Sequence, residues 1–131
     1  MKIMIPAILL LAFLLTGCVA SSNAAGANTY RQITMQEAVK LMENEENYII
    51  LDVRTEQEFA AGHIPGAILV PNETIGTKEI PQLPDKDQMI MVYCRSGNRS
   101  KQASGKLVQL GYTNMVEFGG INSWPGEIVT D

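Results

Sequence analysis

One cysteine, Cys94, carries most of the chemistry this sequence can offer. It follows the apolar run Gln88-Met89-Ile90-Met91-Val92-Tyr93 and opens the segment Cys94-Arg95-Ser96-Gly97-Asn98-Arg99-Ser100, after which a helical pattern begins. A strand that ends in Cys, then a Gly- and Ser-containing loop, then a helix, can point several backbone N–H groups at whatever the sulfur carries. The helix N-terminus adds partial positive charge at the same place. Both effects favour thiolate over thiol and lower the Cys pKa. Ligand sites of open α/β sheets also lie at the carboxyl ends of strands, where Cys94 would stand. An inert core cysteine is the plainer alternative, and the flanking Arg, Ser, Gly and Asn argue against it.

Charge along the chain points the same way. Between Gln88 and Val116 there is no Asp or Glu, whereas Arg95, Arg99, Lys101 and Lys106 all fall there. A basic island in an otherwise acidic chain would draw small anions to Cys94 and favour its thiolate, although Lys101 and Lys106 could equally solvate a helix face. The chain as a whole carries a formal net charge of −4 over 131 residues. That length allows one domain, and the acidic balance excludes a general nucleic-acid binder, which needs a basic face. Two Cys and one His are too few for a zinc cluster of Cys and His ligands.

The first residues read as an address. Residues 1–17 begin with a short basic start at Lys2, continue as an almost unbroken apolar run and close on Leu15-Thr16-Gly17 ahead of Cys18. This is the pattern of a secretory signal, too short to span a bilayer as a permanent helix. Leu15-Thr16-Gly17-Cys18 resembles a bacterial lipobox. That resemblance implies cleavage before Cys18, lipidation of its thiol, and an exported domain anchored to the cell membrane or outer membrane, each buried methylene contributing roughly 0.8 kcal/mol. Residues 18–30, rich in Ser, Ala, Asn and Gly, read as a flexible tether. The domain is then residues 31–131, with Cys94 its only thiol and no intramolecular disulfide available.

Within that domain helix and strand signals alternate. Thr34-Met35-Gln36-Glu37 is a capping-box pattern that opens a helix over residues 35–45. Residues 48–53 (YIILDV) form an apolar run without alternation, which predicts a strand covered on both faces. Thr55-Glu56-Gln57-Glu58 opens a second, short helix to about Ala60. Gly62-His63-Ile64-Pro65-Gly66 reads as a turn and residues 67–70 as a small strand. Residues 71–84, with three prolines, allow one short helix at most. A strand at 88–93 precedes the Cys94 segment, and Ala103, Leu107 and Leu110 predict a helix over 100–110 capped by Gly111. A strand at 115–118 then leads through Gly119-Gly120 into a turn-like helix ending at Trp124. Alternation of this kind predicts an α/β fold with a parallel sheet and helices on both faces.

Residues 94–100 resemble the active-site loop of single-domain rhodaneses, the thiosulfate sulfurtransferases. Leu51-Asp52-Val53-Arg54, followed by Glu58-Phe59 and Gly62-His63-Ile64-Pro65-Gly66-Ala67, is similar to that family's N-terminal signature. Phe118-Gly119-Gly120 with Trp124 is similar to its C-terminal one. The resemblance spans roughly residues 31–129, in order. It implies a rhodanese-like fold with a five-stranded parallel sheet flanked by helices, and no cofactor or metal. Related phosphatases on this fold have Cys-x5-Arg, whereas Cys94 and Arg99 give Cys-x4-Arg, a shorter loop that suits one extra sulfur atom over a phosphate.

The expected reaction has two half-reactions. The Cys94 thiolate takes a sulfane sulfur from an anionic, thiosulfate-like donor and becomes a persulfide. A thiol or cyanide acceptor then removes it, which is covalent catalysis of the ping-pong kind. Residues 95–99 would stabilise the persulfide through their N–H groups. Arg95, Ser96, Gly97, Asn98, Arg99 and Ser100 form the expected donor-binding loop, with Arg99 either binding the donor or bracing the loop. Arg99→Ala is accordingly expected to raise KM for thiosulfate. A non-catalytic binding module, a redox-sensing role for Cys94 and a small-anion phosphatase are the alternatives. The sequence demands no more than a monomer. His63 is expected to be structural, Asp52 and Arg54 an ion pair at the sheet end, Glu58 a helix cap and Trp124 a packing anchor.

Overall fold

Capping side chains start the first two helices. In the computed structural model, which describes residues 29–131, Thr34 accepts a hydrogen bond from the Glu37 N–H at 3.1 Å. Helix α1 then runs Met35–Asn44. Thr55 and Glu58 cap each other reciprocally at the start of α2, Glu56–Ala61, which satisfies N–H groups that a helix start leaves unpaired. Five parallel strands complete the sheet: β1 Arg31–Gln32, β2 Tyr48–Asp52, β3 Ile68–Leu69, β4 Met89–Cys94 and β5 Met115–Gly120, in the order β1-β5-β4-β2-β3. Helix α3, Asn98–Gln109, follows β4. The five-stranded parallel α/β sheet expected from the resemblance is the fold of this chain.

Alternation along β4 divides the core in two. Ile90, Val92 and Cys94 join Ala103, Leu107 and Val108 of α3 on one face. Met91 and Tyr93 join Ala38 of α1, Val116 and Phe118 on the other, with Leu41 and Met42 packed against them. The middle strand, β4, is apolar throughout because both its faces are covered. Each fully buried aliphatic side chain contributes on the order of 1.5–3 kcal/mol.

Two local features depart from the sequence expectations, and a third, expected segment gains its explanation. Strand β1 is only two residues long and pairs with β5 through Arg31 and Gln32, both exposed, so it carries no apolar signal. Helix α3 begins at Asn98, two residues before the expected start. Gly97, at φ +114°, adopts the left-handed conformation that ends the loop there. Residues 71–84 hold one 3-10 turn, Asn72–Thr74, yet Ile75, Ile80 and Leu83 are buried in the α3-side core. Hydrophobic anchoring at irregular spacing fixes that segment without periodicity.

The register of β4 and β5 slips once, between Val92 and Cys94. Val92 stands opposite Glu117, whereas Cys94 stands opposite Gly120, so β5 carries one extra residue there. Gly119, at φ +95°, supplies the left-handed residue of that bulge. The displacement brings Gly120 beneath the Cys94 loop, where a Cβ would lie 2.0 Å from the Arg95 carbonyl oxygen and 2.5 Å from the Ser96 nitrogen. The paired glycines therefore do separate things: one makes the bulge, the other admits the loop.

Candidate active site

Cys94 ends β4 on the α3 face and is almost fully buried. The chain turns over its sulfur through exposed Arg95 and Ser96, reaches Gly97, and enters α3. The Gly97 N–H donates to Cys94 Sγ at 3.0 Å, and Ser100 Oγ lies 3.4 Å from the same sulfur. Burial, the largest single influence on the thiol, pushes its pKa up. Hydrogen bonds from the Ser100 hydroxyl and from the backbone N–H groups of Ser100, Gly97 and Ser96 together outweigh it, and the thiol sits below its ordinary value. The loop is held from below by the Asn122 N–H, which donates to the Arg95 carbonyl at 3.2 Å.

Of the four bases in the island anticipated around Cys94, Arg99 is ion-paired and Lys106 is tied to uncharged groups. Arg99 makes a two-pronged contact with Glu58, at 2.6 and 2.9 Å. The Arg99 guanidinium, with smaller hydrogen bonds from Thr55, overcomes partial burial and holds the Glu58 carboxyl down at about 2. Glu58 thus does more than cap α2: it bridges α2 to the start of α3 and braces the loop through Arg99. Lys106 does not solvate the helix face either, since its ammonium donates to the Asn72 carbonyl and side chain at 2.9 and 3.0 Å. Arg95 remains exposed beside a cleft of about 310 Å³ lined by Arg54, Glu58, Gly62, Ile121, Asn122 and Ile128. Asn98 is also exposed, whereas Ser100 is fully buried. The expected donor-binding segment therefore splits into a surface half and an interior half.

Glu117 is the residue that sequence reasoning missed. It is 3% exposed and faces α3 from β5, with Oε1 accepting from Ser100 Oγ at 2.7 Å and from the Gly119 N–H at 2.9 Å. Its position immediately after the acid-free stretch hid it. The signal that could have found it is a charge inside an otherwise apolar strand, Met115-Val116-Glu117-Phe118.

A second polar network braces the sheet end. Asp52 and Arg54 are both buried and joined at 2.7 Å. Arg54 also donates to the Gly62 carbonyl at 2.7 Å. The Tyr93 hydroxyl donates to Asp52 at 2.7 Å while accepting from the Ile64 N–H at 3.1 Å. Burial costs the Arg54 charge, but Asp52 more than compensates and holds its pKa above the ordinary value. Burial, with Asp52 beside it, pushes the Tyr93 phenol well up, so the phenol keeps its proton. His63 stacks on Phe59 at 3.7 Å, and its Nδ1 must carry the hydrogen shared with the Phe59 carbonyl at 2.8 Å. The His63 backbone pairs antiparallel with Val129 through hydrogen bonds of 2.9 and 3.0 Å, which ties down the C-terminal residues. Trp124 packs against the α1-side core and donates to the Glu127 carbonyl at 3.0 Å. Among the described residues no group of three or more His, Cys, Asp or Glu side chains could hold a metal ion.

The fold is a parallel α/β domain whose Cys94 thiol, held below its ordinary pKa, lies at a strand's carboxyl end under the N–H groups of the loop that follows. The Rhodanese-like domain profile matches residues 34–127, and the chain belongs to that family. It is 36% identical over 96 residues to a sulfurtransferase of Allochromatium vinosum, covering 71% of this chain and 86% of the relative. It is 32% identical over 103 residues to the thiosulfate sulfurtransferase GlpE of Pseudomonas entomophila, covering 75% and 91%. A crystal structure of a rhodanese-related protein from Thermoplasma volcanium matches with a TM-score of 0.65 at 30% identity, covering 78% of this chain and all of that one. These relatives support a transferase of the rhodanese family.

Proposed function

We propose that the protein is a sulfur carrier in which Cys94 moves a sulfane sulfur from an anionic donor, thiosulfate or a compound like it, to a thiol or cyanide. The thiolate attacks the donor's outer sulfur, the S–S bond to the sulfonate breaks, and sulfite leaves with its electron pair. The resulting persulfide carries its negative charge on the outer sulfur. The acceptor then attacks that sulfur and returns Cys94 to thiolate, so no external oxidant or reductant is needed. The observation that carries this reading is the cradle itself: Gly97 N–H at 3.0 Å from Sγ, with the thiol held below its ordinary pKa. Arg95, exposed and lining the cleft beside the loop, is the donor's electrostatic guide, and Ser96, Gly97 and Asn98 contribute loop contacts. Arg99 is chiefly a brace. A relative named for thiosulfate supports the choice of donor class.

Export and lipidation at Cys18 are part of the same reading. They rest on residues 1–28, which lie outside the described residues, and their support is the apolar run ending in Leu15-Thr16-Gly17-Cys18. The experiment is intact-mass analysis of the purified protein and its Cys94→Ser variant after thiosulfate, before and after cyanide. The expected result is a gain of one sulfur on the wild type alone, lost as thiocyanate appears. No gain on a thiol that still alkylates would overturn sulfur carriage from this donor class and favour a binding or redox role.

A further inference from the structure

The cleft beside the Cys94 loop is larger than the small reactants of the proposed reaction. Its volume of about 310 Å³ equals about ten water molecules at about 30 Å³ each, more than thiosulfate or cyanide fills. Charges along its walls cancel in pairs, Arg54 with Asp52 and Glu58 with Arg99. No salt bridge among the described residues involves Arg95, which leaves that cation to the anionic donor. Ala61, Ile121 and Ile128 supply the apolar lining. Among the described residues Ile128 is the one exposed large apolar side chain, at 45%. A lone apolar residue on a surface is ordinary, but this one is anchored against the cleft. The backbone is tied on both sides of it, by the Trp124 indole N–H on the Glu127 carbonyl at 3.0 Å and by the pairing of Val129 with His63. Its side chain sits so close to Gly62 that a Cβ there would lie 2.7 Å from Ile128 Cγ2, and the Gly62 carbonyl in turn holds Arg54.

We propose that Ile128 selects the acceptor, forming one wall of a seat for a small thiol with an uncharged, apolar body. This selection rests on Cys94 as the sulfur carrier of the proposed reaction and gives that reaction its acceptor class. In a ping-pong sequence sulfite has left before the acceptor enters, so donor and acceptor use the cleft in turn. The acceptor thiolate bonds to the outer sulfur of the persulfide, the S–S bond to Cys94 breaks, and its electron pair stays on Cys94 as thiolate. Walls whose charges already pair with each other offer nothing to a charged body, whereas each methylene laid against Ile128 and Ile121 removes apolar surface from water on both partners. Ile128 is therefore a specificity-determining residue supplied by the C-terminal segment, remote in sequence from the loop it serves.

Two measurements on the full chain and its Ile128→Ser variant test this. The first uses no sulfur donor: iodoacetamide alkylates the protein in the presence of propan-1-ol or hexan-1-ol, and the rate is followed on the peptide that contains Cys94. Hexan-1-ol should half-protect the wild type at a concentration at least about fivefold below that of propan-1-ol, and Ile128→Ser should cut that ratio by at least about half. In the second, thiosulfate is the donor and 3-mercapto-1-propanol, 6-mercapto-1-hexanol or cyanide the acceptor. With each kcat/KM divided by that for cyanide, the wild type should prefer the longer thiol by about the same factor, and the variant should lose most of the preference. Equal protection by the two alcohols, or a preference that survives Ile128→Ser intact, overturns the proposal. Protection that follows chain length while no thiocyanate forms upholds the seat and overturns sulfur carriage from thiosulfate. Thiocyanate formation with no dependence on chain length in either measurement does the reverse. Should the urea midpoint of Ile128→Ser show a lost fold, Ile128→Ala is measured in its place.

Discussion

Gly120→Ala is the sharpest probe of how β5 shapes the loop. Gly120 has ordinary extended backbone, φ −135° and ψ 155°, so alanine meets no torsional penalty and the effect is purely one of space. Its Cβ would sit 2.0 Å from the Arg95 oxygen and 2.3 Å from the Arg95 carbonyl carbon, and the loop must lift by about 1 Å to relieve the overlap. The obstacle is backbone tied to Asn122, not the end of a flexible side chain. Overpacking of that kind costs about 1–3 kcal/mol. A similar lift at Gly97 would carry its N–H from 3.0 Å to about 4 Å from the sulfur, beyond hydrogen-bond reach. A hydrogen bond to a charged acceptor is worth about 1.5–3 kcal/mol, so the Cys94 midpoint should rise by about one to two pH units. Gly119→Ala is the internal control: nothing lies within 4 Å of its Cβ, and the left-handed φ alone should cost about 1–2 kcal/mol with the midpoint little changed. Urea unfolding reads the stabilities and pH-dependent alkylation reads the thiol. If Gly120→Ala destabilises the protein yet leaves the midpoint where it was, the link between bulge and cradle is refuted.

Arg95→Ala should raise KM for thiosulfate several-fold with kcat nearly unchanged and weaken its salt dependence. Arg99→Ala should raise KM too, but with a loss of urea stability of about 1 kcal/mol, because Glu58 loses its partner; steady-state kinetics at two ionic strengths separates the two. Asp52→Asn should cost about 3–5 kcal/mol by leaving the Arg54 charge buried without its counterion, measured by urea unfolding. Glu58, held at about 2 in the fold against an ordinary 4.5, contributes stability that is whole above pH 4.5 and drains away as pH falls towards 2. The loss amounts to about 1–2 kcal/mol once solvent screening is allowed for, and should be absent from the Glu58→Gln variant in acid titrations.

The alternation of elements was legible because β2 and β4 lie in the middle of the sheet, and burial on both faces leaves an unbroken apolar run in the sequence. Thr34 and Thr55 were legible as caps for a different reason: a cap is made by residues three apart, so its whole geometry is local. Arg99 with Glu58 is the opposite case. The pair joins residues 41 apart, and no local pattern tells an arginine aimed at a ligand from one aimed at another helix. The same limit hid the engagement of Lys106 by Asn72. Strand β1 was silent because two exposed residues at an edge need only backbone pairing. Glycines 119 and 120 were visible as a motif, but which one makes the bulge depends on register, and register is a property of two strands.

The way charge is arranged around Cys94 bears on what the cysteine is suited to do. A guanidinium clamped on the sulfur would lower the thiol pKa further, but it would also hold the anionic persulfide and slow its transfer. Catalysis gains only from interactions stronger in the transition state than in the bound state. Here Glu58 takes Arg99's two-pronged contact for itself, and the sulfur's hydrogen bonds come from uncharged donors, the backbone of the loop and the Ser100 hydroxyl. Such dipoles serve a thiolate and a persulfide alike, because the negative charge moves outward by one atom while the donors stay where the backbone puts them. Arg95 is exposed and lines the cleft beside the loop, where on the proposed reading it attracts an anionic donor. On the proposed reading, a site that picks up one atom and gives it away again is better served by this division, attraction at the rim and neutral donors within, than by a cation at its centre.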